Sequence, residues 1–368
     1  MNFRGAVLHE VGHPLTVETL ALAPLRGHDV LVRLHASGLC HTDLEVIQGA
    51  LAYPLPIVLG HEGAGVVEAV GHDVTLVRPG DHVVCSSRSH CGQCFYCDRD
   101  QPILCETFTR TEPRGWLLDG TSRLSLGGRV VRHFSAVSSH AEFSVVHETS
   151  AIPVPDEIPF DRACLLGCGV MTGVGAATRV ARVAAGTTVL VVGAGAVGLN
   201  VVQGARLAGA ETIIAVDVDD GRLGLAGALG ATHLVNAVRE EPVERVRALT
   251  GGRGADYGFE AAGREPAFQL ALEAARPGAT VVLLGTVPVD QPVSFRWGSL
   301  MADKRVVRSS YGGARPRRDF PWLARAYLEG RLKLDELIGR RFTLDAINEG
   351  FTQMAKGGLV RGVVLLAV

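Results

Sequence analysis

No apolar run in this chain approaches the roughly 18 residues that a membrane span needs, so no membrane-spanning segment is expected. An excess of charge of one sign is also missing. Lys plus Arg is 36 and Asp plus Glu is 38, a net charge of −2. Without a basic excess no nucleic-acid partner is expected, and no acidic tail stands out. Residues 1–12 show no cationic stretch followed by an apolar one, which argues against a secretory signal and for a cytoplasmic protein. Proline is sparse, at 17 of 368 residues, and there is neither a low-complexity tract nor an internal repeat. Glycine is in excess, at 45 of 368, against an average share of about 7%, and this reads as tight turns. The remainder, 47% apolar and 20% charged, is an ordinary globular mix whose length suggests two domains. In a reducing compartment the eight cysteines are expected as ligands or nucleophiles rather than disulfides.

The first third reads as β-rich, with short apolar runs at 29–35, 63–71 and 81–85 between Gly and Pro turns. From about residue 170 the texture changes. Strands expected at 187–192, 212–216, 233–236, 256–260 and 280–284 alternate with helices expected at 196–207, 220–229, 243–249 and 265–275. That alternation specifies an α/β fold with a parallel sheet covered on both faces. After Ser309 the pattern is mixed, with helices near 319–328 and 344–355 and a strand at 362–367. The expected organisation is a β-rich domain over 1–169, a doubly wound Rossmann nucleotide-binding domain over 170–309, and a return to the first domain over 310–368, with a break at Tyr311-Gly-Gly313.

Gly193-Ala-Gly195-Ala-Val-Gly198 lies between an expected strand and helix. The first glycine permits the turn, the second lets backbone N–H groups approach a pyrophosphate, and the third lets helix pack on strand. Asp217 follows at the end of the second strand, where a carboxylate binds two ribose hydroxyls and repels a 2′-phosphate. NAD is therefore expected rather than NADP, although Arg222 is a residue type that serves either cofactor.

Cys91, Cys94, Cys97 and Cys105 have the spacing CxxCxxCx7C. Four thiolates close a tetrahedral zinc site and leave no position for substrate, which points to a structural staple over about 85–110. Thiol count alone also allows an iron–sulfur cluster. A further set is less regular. Cys40 opens Cys40-His-Thr-Asp43, His61 stands in Gly60-His-Glu-Gly-Ala-Gly65, and Cys168 stands in Gly167-Cys-Gly169. Spacing does not show that these three meet.

Taken in order, these motifs resemble the zinc-dependent medium-chain alcohol dehydrogenases over essentially the full length. Asp119-Gly-Thr-Ser-Arg123 and Leu344-Asp-Ala-Ile-Asn-Glu-Gly-Phe351 are similar to the long-loop dimeric branch, which includes liver-type and glutathione-dependent formaldehyde enzymes. The resemblance implies a β-rich, GroES-like catalytic domain and two zinc ions per subunit. One would be structural, on the four-cysteine lobe. The other would be catalytic, on Cys40, His61 and Cys168 with a fourth position open. It also implies Thr42 as the hydroxyl that relays the substrate proton, Asp43 as the acid that orients His61, and Glu62 as the acid beside the metal. His41 and Arg361 are implied as pyrophosphate contacts, with Thr172 and Val197 beside the nicotinamide. The long loop over 107–134 and the apolar runs over 280–307 imply a homodimer.

Two departures from the family stand out. Glu45 occupies the position where liver-type enzymes usually carry the histidine that ends the relay, so a carboxylate or water takes the proton. Ser87 occupies a pocket position often held by a large aromatic, which implies room for a bulky, aromatic or long-chain primary alcohol or aldehyde. Leu51, Arg110, Trp116, Phe134 and Ser135 are implied to line the same pocket. Arg110 lies near the arginine with which the formaldehyde branch holds an anionic thiol adduct, so that substrate is the alternative. A prosthetic, tightly bound NAD and a non-catalytic dinucleotide-binding protein are the other readings. The second is opposed by the joint presence of Cys40, His61, Cys168 and Thr42.

Overall fold

The computed structural model describes residues 1–288 and 290–366. The end of the strand expected at 362–367 lies outside the described residues, as does Val289 in the stretch expected to form the dimer contact. The chain divides into two compact units. One comprises Met1–Cys168, Arg315–Gly330 and Leu334–Val368, and the other Gly169–Ala314 and Arg331–Lys333.

The first unit is built on two sheets, a closed barrel of five short strands and a seven-stranded sheet. The spine of the larger sheet is the strand Asp29–Leu39, whose residues are nearly all buried. It is longer than the expected 29–35 because small residues, Ala36, Ser37 and Gly38, continue it to Leu39. Strand Gly63–Val70 pairs with it antiparallel, with Ser37 opposite Gly63. Strand Arg361–Leu365 pairs along its other edge, with Leu39 opposite Gly362. This register brings three sequence-distant positions to one end of the sheet: Cys40 after the spine, His61 and Glu62 before the second strand, and Arg361 at the start of the third. The Asp119-Gly-Thr-Ser-Arg123 loop is tied to the spine by the buried Arg123 guanidinium. Its Nε donates to Asp29 Oδ2 at 2.6 Å, and its Nη2 donates to Asp119 Oδ2 at 2.6 Å.

In the second unit six strands run parallel, in the spatial order His233–Asn236, Thr212–Asp217, Thr188–Val192, Ala255–Glu260, Ala275–Leu283, Arg305–Arg308. This is the doubly wound order, in which the strand sequence reverses between the first and fourth strands and leaves a crevice at their carboxyl ends. Helices Ala196–Leu207 and Asp220–Leu229 lie where the sequence places them. The helix expected over 265–275 ends at Glu273, and the strand expected at 280 already begins at Ala275. Helix Gly169–Gly175 packs on Ala196–Leu207 so closely that a Cβ at Gly173 would sit 2.4 Å from the Val197 carbonyl oxygen.

The return to the first unit falls after Ala314 rather than after residue 309. Gly312 explains the difference, because its backbone lies against the helix Gly169–Gly175, and a Cβ there would sit 2.4 Å from the Met171 carbonyl oxygen. Arg331–Lys333 also pack with the nucleotide unit. The buried Gln203 amide donates to the Lys333 carbonyl at 2.9 Å and accepts its N–H at 2.8 Å.

Candidate active site and metal centres

Cys40 follows the spine strand and caps the helix His41–Gln48. Asp43, fully buried in the first turn, fixes this junction. Its Oδ2 accepts the Cys40 N–H at 3.2 Å and its Oδ1 the Gly60 N–H at 2.9 Å. The same Oδ1 lies 3.3 Å from His61 Nδ1. Cys168 follows the short turn Cys164–Gly167. Ligand atoms of Cys40, His61, Glu62 and Cys168 all lie within 4.8 Å of one another. Sequence spacing leaves the meeting of these residues open, and the sheet register produces it.

Titration in this set is collective. A hydrogen bond from the Cys168 thiol holds Cys40 well below the usual thiol range, and the same contact pushes Cys168 well above it. Burial opposes a charged His61, but the charges of Asp43 and Cys40 lift it to about 10. Cys40 thus favours its thiolate, while a proton is retained on the imidazole. A cation of Lewis-acid type replaces such protons. With Nδ1 facing Asp43, His61 has Nε2 left for a metal. Glu62 Oε1 is buried without a partner. Two thiols, one imidazole and an orphaned carboxylate oxygen within one small volume fit zinc.

Glu62 and Arg361 form a buried ion pair. Gly38 makes room for it, since a Cβ at Gly38 would sit 2.2 Å from Glu62 Oε2. Arg361, the implied pyrophosphate contact, has its side chain 5% exposed and its guanidinium engaged by Glu62. Thr42 Oγ1 lies 3.7 Å from Cys40 Sγ. Glu45 is one turn further along the helix and half-buried. Burial, reinforced by the Cys40 charge and opposed by His41, holds its carboxyl above the usual range. His41 is exposed.

Phe134 packs edge-on against His61, at a centroid distance of 5.4 Å, and against Tyr53 at 5.0 Å. The Tyr53 hydroxyl donates to Glu112. Ser87 is buried and Leu51 packs on the core. Arg110 and Trp116 line a recess of about 280 Å³ with Thr111, Arg114, Leu118, Asp119 and Gly120. Ser135 sits in the left-handed region, at φ 52°. Tyr53, Glu112 and Gly38 had no sequence signal, because each acts through a partner distant in the chain.

The four-cysteine lobe is closed: the Sγ atoms of Cys91, Cys94, Cys97 and Cys105 lie within 4.8 Å of one another. Although burial works against it, hydrogen bonds from the backbone N–H groups of Cys97 and Glu106 bring Cys94 down to about 6. Backbone donors that favour thiolate suit a metal held by sulfur.

In the nucleotide unit, Gly193 has φ +95°, and a Cβ at Gly198 would sit 1.8 Å from the Gly193 carbonyl oxygen. Gly195 is the opposite case. A Cβ there would meet nothing within 4 Å, so the space over the start of helix Ala196–Leu207 is open. A diphosphate fits such a cradle of N–H groups at a helix start. Asp217 Oδ2 accepts the Ala194 N–H at 2.6 Å, and Oδ1 accepts the Val218 and Asp219 N–H groups. The Arg222 backbone N–H donates to Asp219 Oδ1 at 2.9 Å. Thr172 and Val197 are partly exposed on the closely packed helix pair.

Comparison with known proteins agrees with this geometry. Residues 26–156 match the alcohol dehydrogenase GroES-like domain, and residues 196–329 match the zinc-binding dehydrogenase family. An S-(hydroxymethyl)glutathione dehydrogenase of Candida maltosa is 37% identical over 370 residues, covering 99% of this chain and 97% of its own. Among solved structures, an alcohol dehydrogenase zinc-binding domain protein from Burkholderia ambifaria superposes with a TM-score of 0.96 at 36% identity over the whole of both chains. Benzyl alcohol dehydrogenase from Acinetobacter calcoaceticus does so with a TM-score of 0.95 at 31% identity, also over the whole of both chains. The chain belongs to the zinc-dependent medium-chain alcohol dehydrogenases. It is a dehydrogenase that uses zinc and a nicotinamide dinucleotide.

Proposed function

We propose that the chain transfers a hydride between a bulky primary alcohol, aromatic or long-chain, or its aldehyde, and NAD. The observation that carries this is the convergence of Cys40, His61 and Cys168 with Thr42 beside them. Bound there, zinc supplies a Lewis acid for the substrate oxygen, and NAD on the glycine loop supplies the hydride acceptor.

The chain's own residues then have definite tasks. Asp43 orients the His61 ring through Nδ1. Thr42 accepts the hydrogen bond of the substrate hydroxyl and passes its proton along, since a hydroxyl both donates and accepts. Glu45, one helical turn away, receives that proton. Positions three apart share a helix face, and its raised carboxyl suits a base working nearer neutral pH. Asp217 supports the choice of NAD by repelling a 2′-phosphate. Ser87 supports a roomy site, and the benzyl alcohol enzyme among the similar structures supports an aromatic substrate.

A thiol–formaldehyde adduct is the second reading, favoured by the name of the Candida maltosa relative. Mixing protein, NAD and a panel from ethanol to benzylic and long-chain alcohols, with formaldehyde plus thiols as a separate arm, tests both. NADH from the bulky alcohols is the expected result. A response confined to the formaldehyde–thiol arm overturns the first reading in favour of the second.

The same proposal includes a homodimer. Strand Arg305–Arg308 is the sheet's outer edge and is exposed throughout, and Trp297 and Met301 are exposed nearby in the chain. An unpaired edge of this kind offers pairing to a second copy. Light scattering that returned a monomer mass at micromolar concentration would refute it.

A further inference from the structure

His140 is fully buried behind the metal set, and one of its ring nitrogens has no hydrogen-bond partner. Its backbone is joined to the segment that delivers His61. The His140 N–H donates to the Leu59 carbonyl at 3.0 Å and the Ser139 N–H to the Gly60 carbonyl at 2.9 Å. The ring fills the space over Gly60, where a Cβ would sit 2.7 Å from Nδ1. On another side the Phe351 ring meets it edge-on at 5.7 Å.

The two ring nitrogens have different surroundings. Nδ1 lies 2.9 Å from Ser37 Oγ, which in turn lies 2.7 Å from Ser139 Oγ. Nε2 faces Asp43 Oδ1 at 3.9 Å. That oxygen is the one that takes the Gly60 N–H and faces His61 Nδ1. Asp43 thus stands between two imidazoles, one implied to hold metal and one not.

A neutral imidazole carries its hydrogen on one nitrogen only, and its neighbours decide which. With the hydrogen on Nδ1, the Nε2 lone pair would face a buried carboxylate, which is repulsive. With the hydrogen on Nε2, Ser37 donates to Nδ1, Ser139 donates to Ser37, and the remaining N–H points at Asp43. The second arrangement satisfies both short contacts, at Ser37 and Ser139, and turns the positive edge of the ring rather than a lone pair toward the Asp43 carboxylate 3.9 Å away. Burial also keeps the ring neutral, lowering it to about 4.

We infer that His140 is a positioning residue for the metal site: its Nε2–H is directed at Asp43 and holds that carboxylate where it can orient His61. The inference rests on Cys40, His61 and Cys168 being a zinc site. Groups that orient a metal-bound imidazole from outside typically change metal affinity by about 10–100-fold when removed.

Two variants separate this role from packing. His140→Phe keeps a ring and loses the N–H, and His140→Gln keeps an N–H donor. The rate at which zinc passes to a colorimetric chelator is the readout, with Cys94→Ala as background so that only the open set is followed. The expected result is release about tenfold faster from His140→Phe and near the parent rate from His140→Gln. Equal release from a folded His140→Phe protein overturns the inference. Long-range 1H–15N spectra of histidine-labelled wild-type protein supply a measurement that needs no variant to fold. They should show a protonated Nε2 and a bare Nδ1 for the neutral histidine whose ring has through-space contacts to Phe351, and the opposite tautomer overturns the inference. If the Cys94→Ala background binds no zinc at all, the metal-site reading itself falls instead.

Discussion

Glu62 and Arg361 pair in the interior, one from just before strand Gly63–Val70 of the large sheet and the other from the start of strand Arg361–Leu365. The pair sits against the metal set, and Glu62 is one of the four groups within ligand distance there. Its charge is thus balanced by an arginine when no cation is near. Removing one partner of a buried pair costs about 3–5 kcal/mol, because the other charge is stranded. Arg361→Met should lose stability on that order in denaturant titration. Adding Glu62→Gln should restore much of it, and strictly additive losses would show that the two do not act as a pair.

Glu45 gives a prediction in pH. Its carboxyl is held above 4.5 in the folded protein, mainly by burial. The protonated form is therefore favoured by folding. The stabilising contribution is present in acid, below the unfolded value, and disappears as pH rises through the folded value. Glu45→Gln should be neutral for stability in acid and slightly stabilising at neutral pH. In turnover the sign reverses, since the proposed base must be ionised. The acidic limb of the kcat/KM profile for alcohol oxidation should flatten in Glu45→Gln, with a loss of about 100-fold or more on the plateau. An unchanged limb would assign that limb to another group.

The lobe that carries Cys91, Cys94, Cys97 and Cys105 packs on Leu31, Phe108, Leu117 and Val145 but has little regular structure of its own. Its secondary structure is two three-residue turns, Cys97–Arg99 and Pro102–Leu104. Stripping its metal, or Cys94→Ala, should open it to proteases between residues 91 and 105 while the circular dichroism of the rest persists. Protection equal to the parent would mean the thiols contribute no staple.

Asp217 holds the glycine loop through Ala194, and on the proposed function it also meets the ribose of NAD. Hydrogen bonds to a charged group are worth about 1.5–3 kcal/mol, so Asp217→Ala should raise the KM for NAD roughly ten- to hundredfold. The ratio of kcat/KM for NADP to that for NAD should rise, because the repelling charge is gone. Parallel loss with both cofactors would leave the loop-holding duty alone.

Regular local signals made some of this architecture legible in the sequence. Helix Asp220–Leu229 is bounded by Asp219, which accepts the Arg222 N–H, and by Gly230 at φ +120°. The glycine loop and the four-cysteine spacing are equally local. Strand Ala275–Leu283 was half hidden because Pro277 and Gly278 interrupt its start. The strand Arg305–Arg308 was missed because two of its four residues are Arg and it lies at an edge. Helix Gly169–Gly175 contradicts propensity, with three glycines in seven residues, and it makes sense only against the helix it touches. The joining of Cys40, His61 and Cys168 is set by strand register, a long-range property that motif spacing does not encode. The resemblance to a known family supplied that step.

The short segment Arg331–Lys333 has a practical consequence. It belongs with the nucleotide unit while the chain on either side belongs with the other. The backbone therefore changes unit after Cys168, Ala314, Gly330 and Lys333. A chimera that transplants 169–314 alone would leave Gln203 facing a foreign main chain where Lys333 now meets its amide. Grafts of cofactor specificity from a relative should carry both pieces, or match the donor's sequence at the three-residue return.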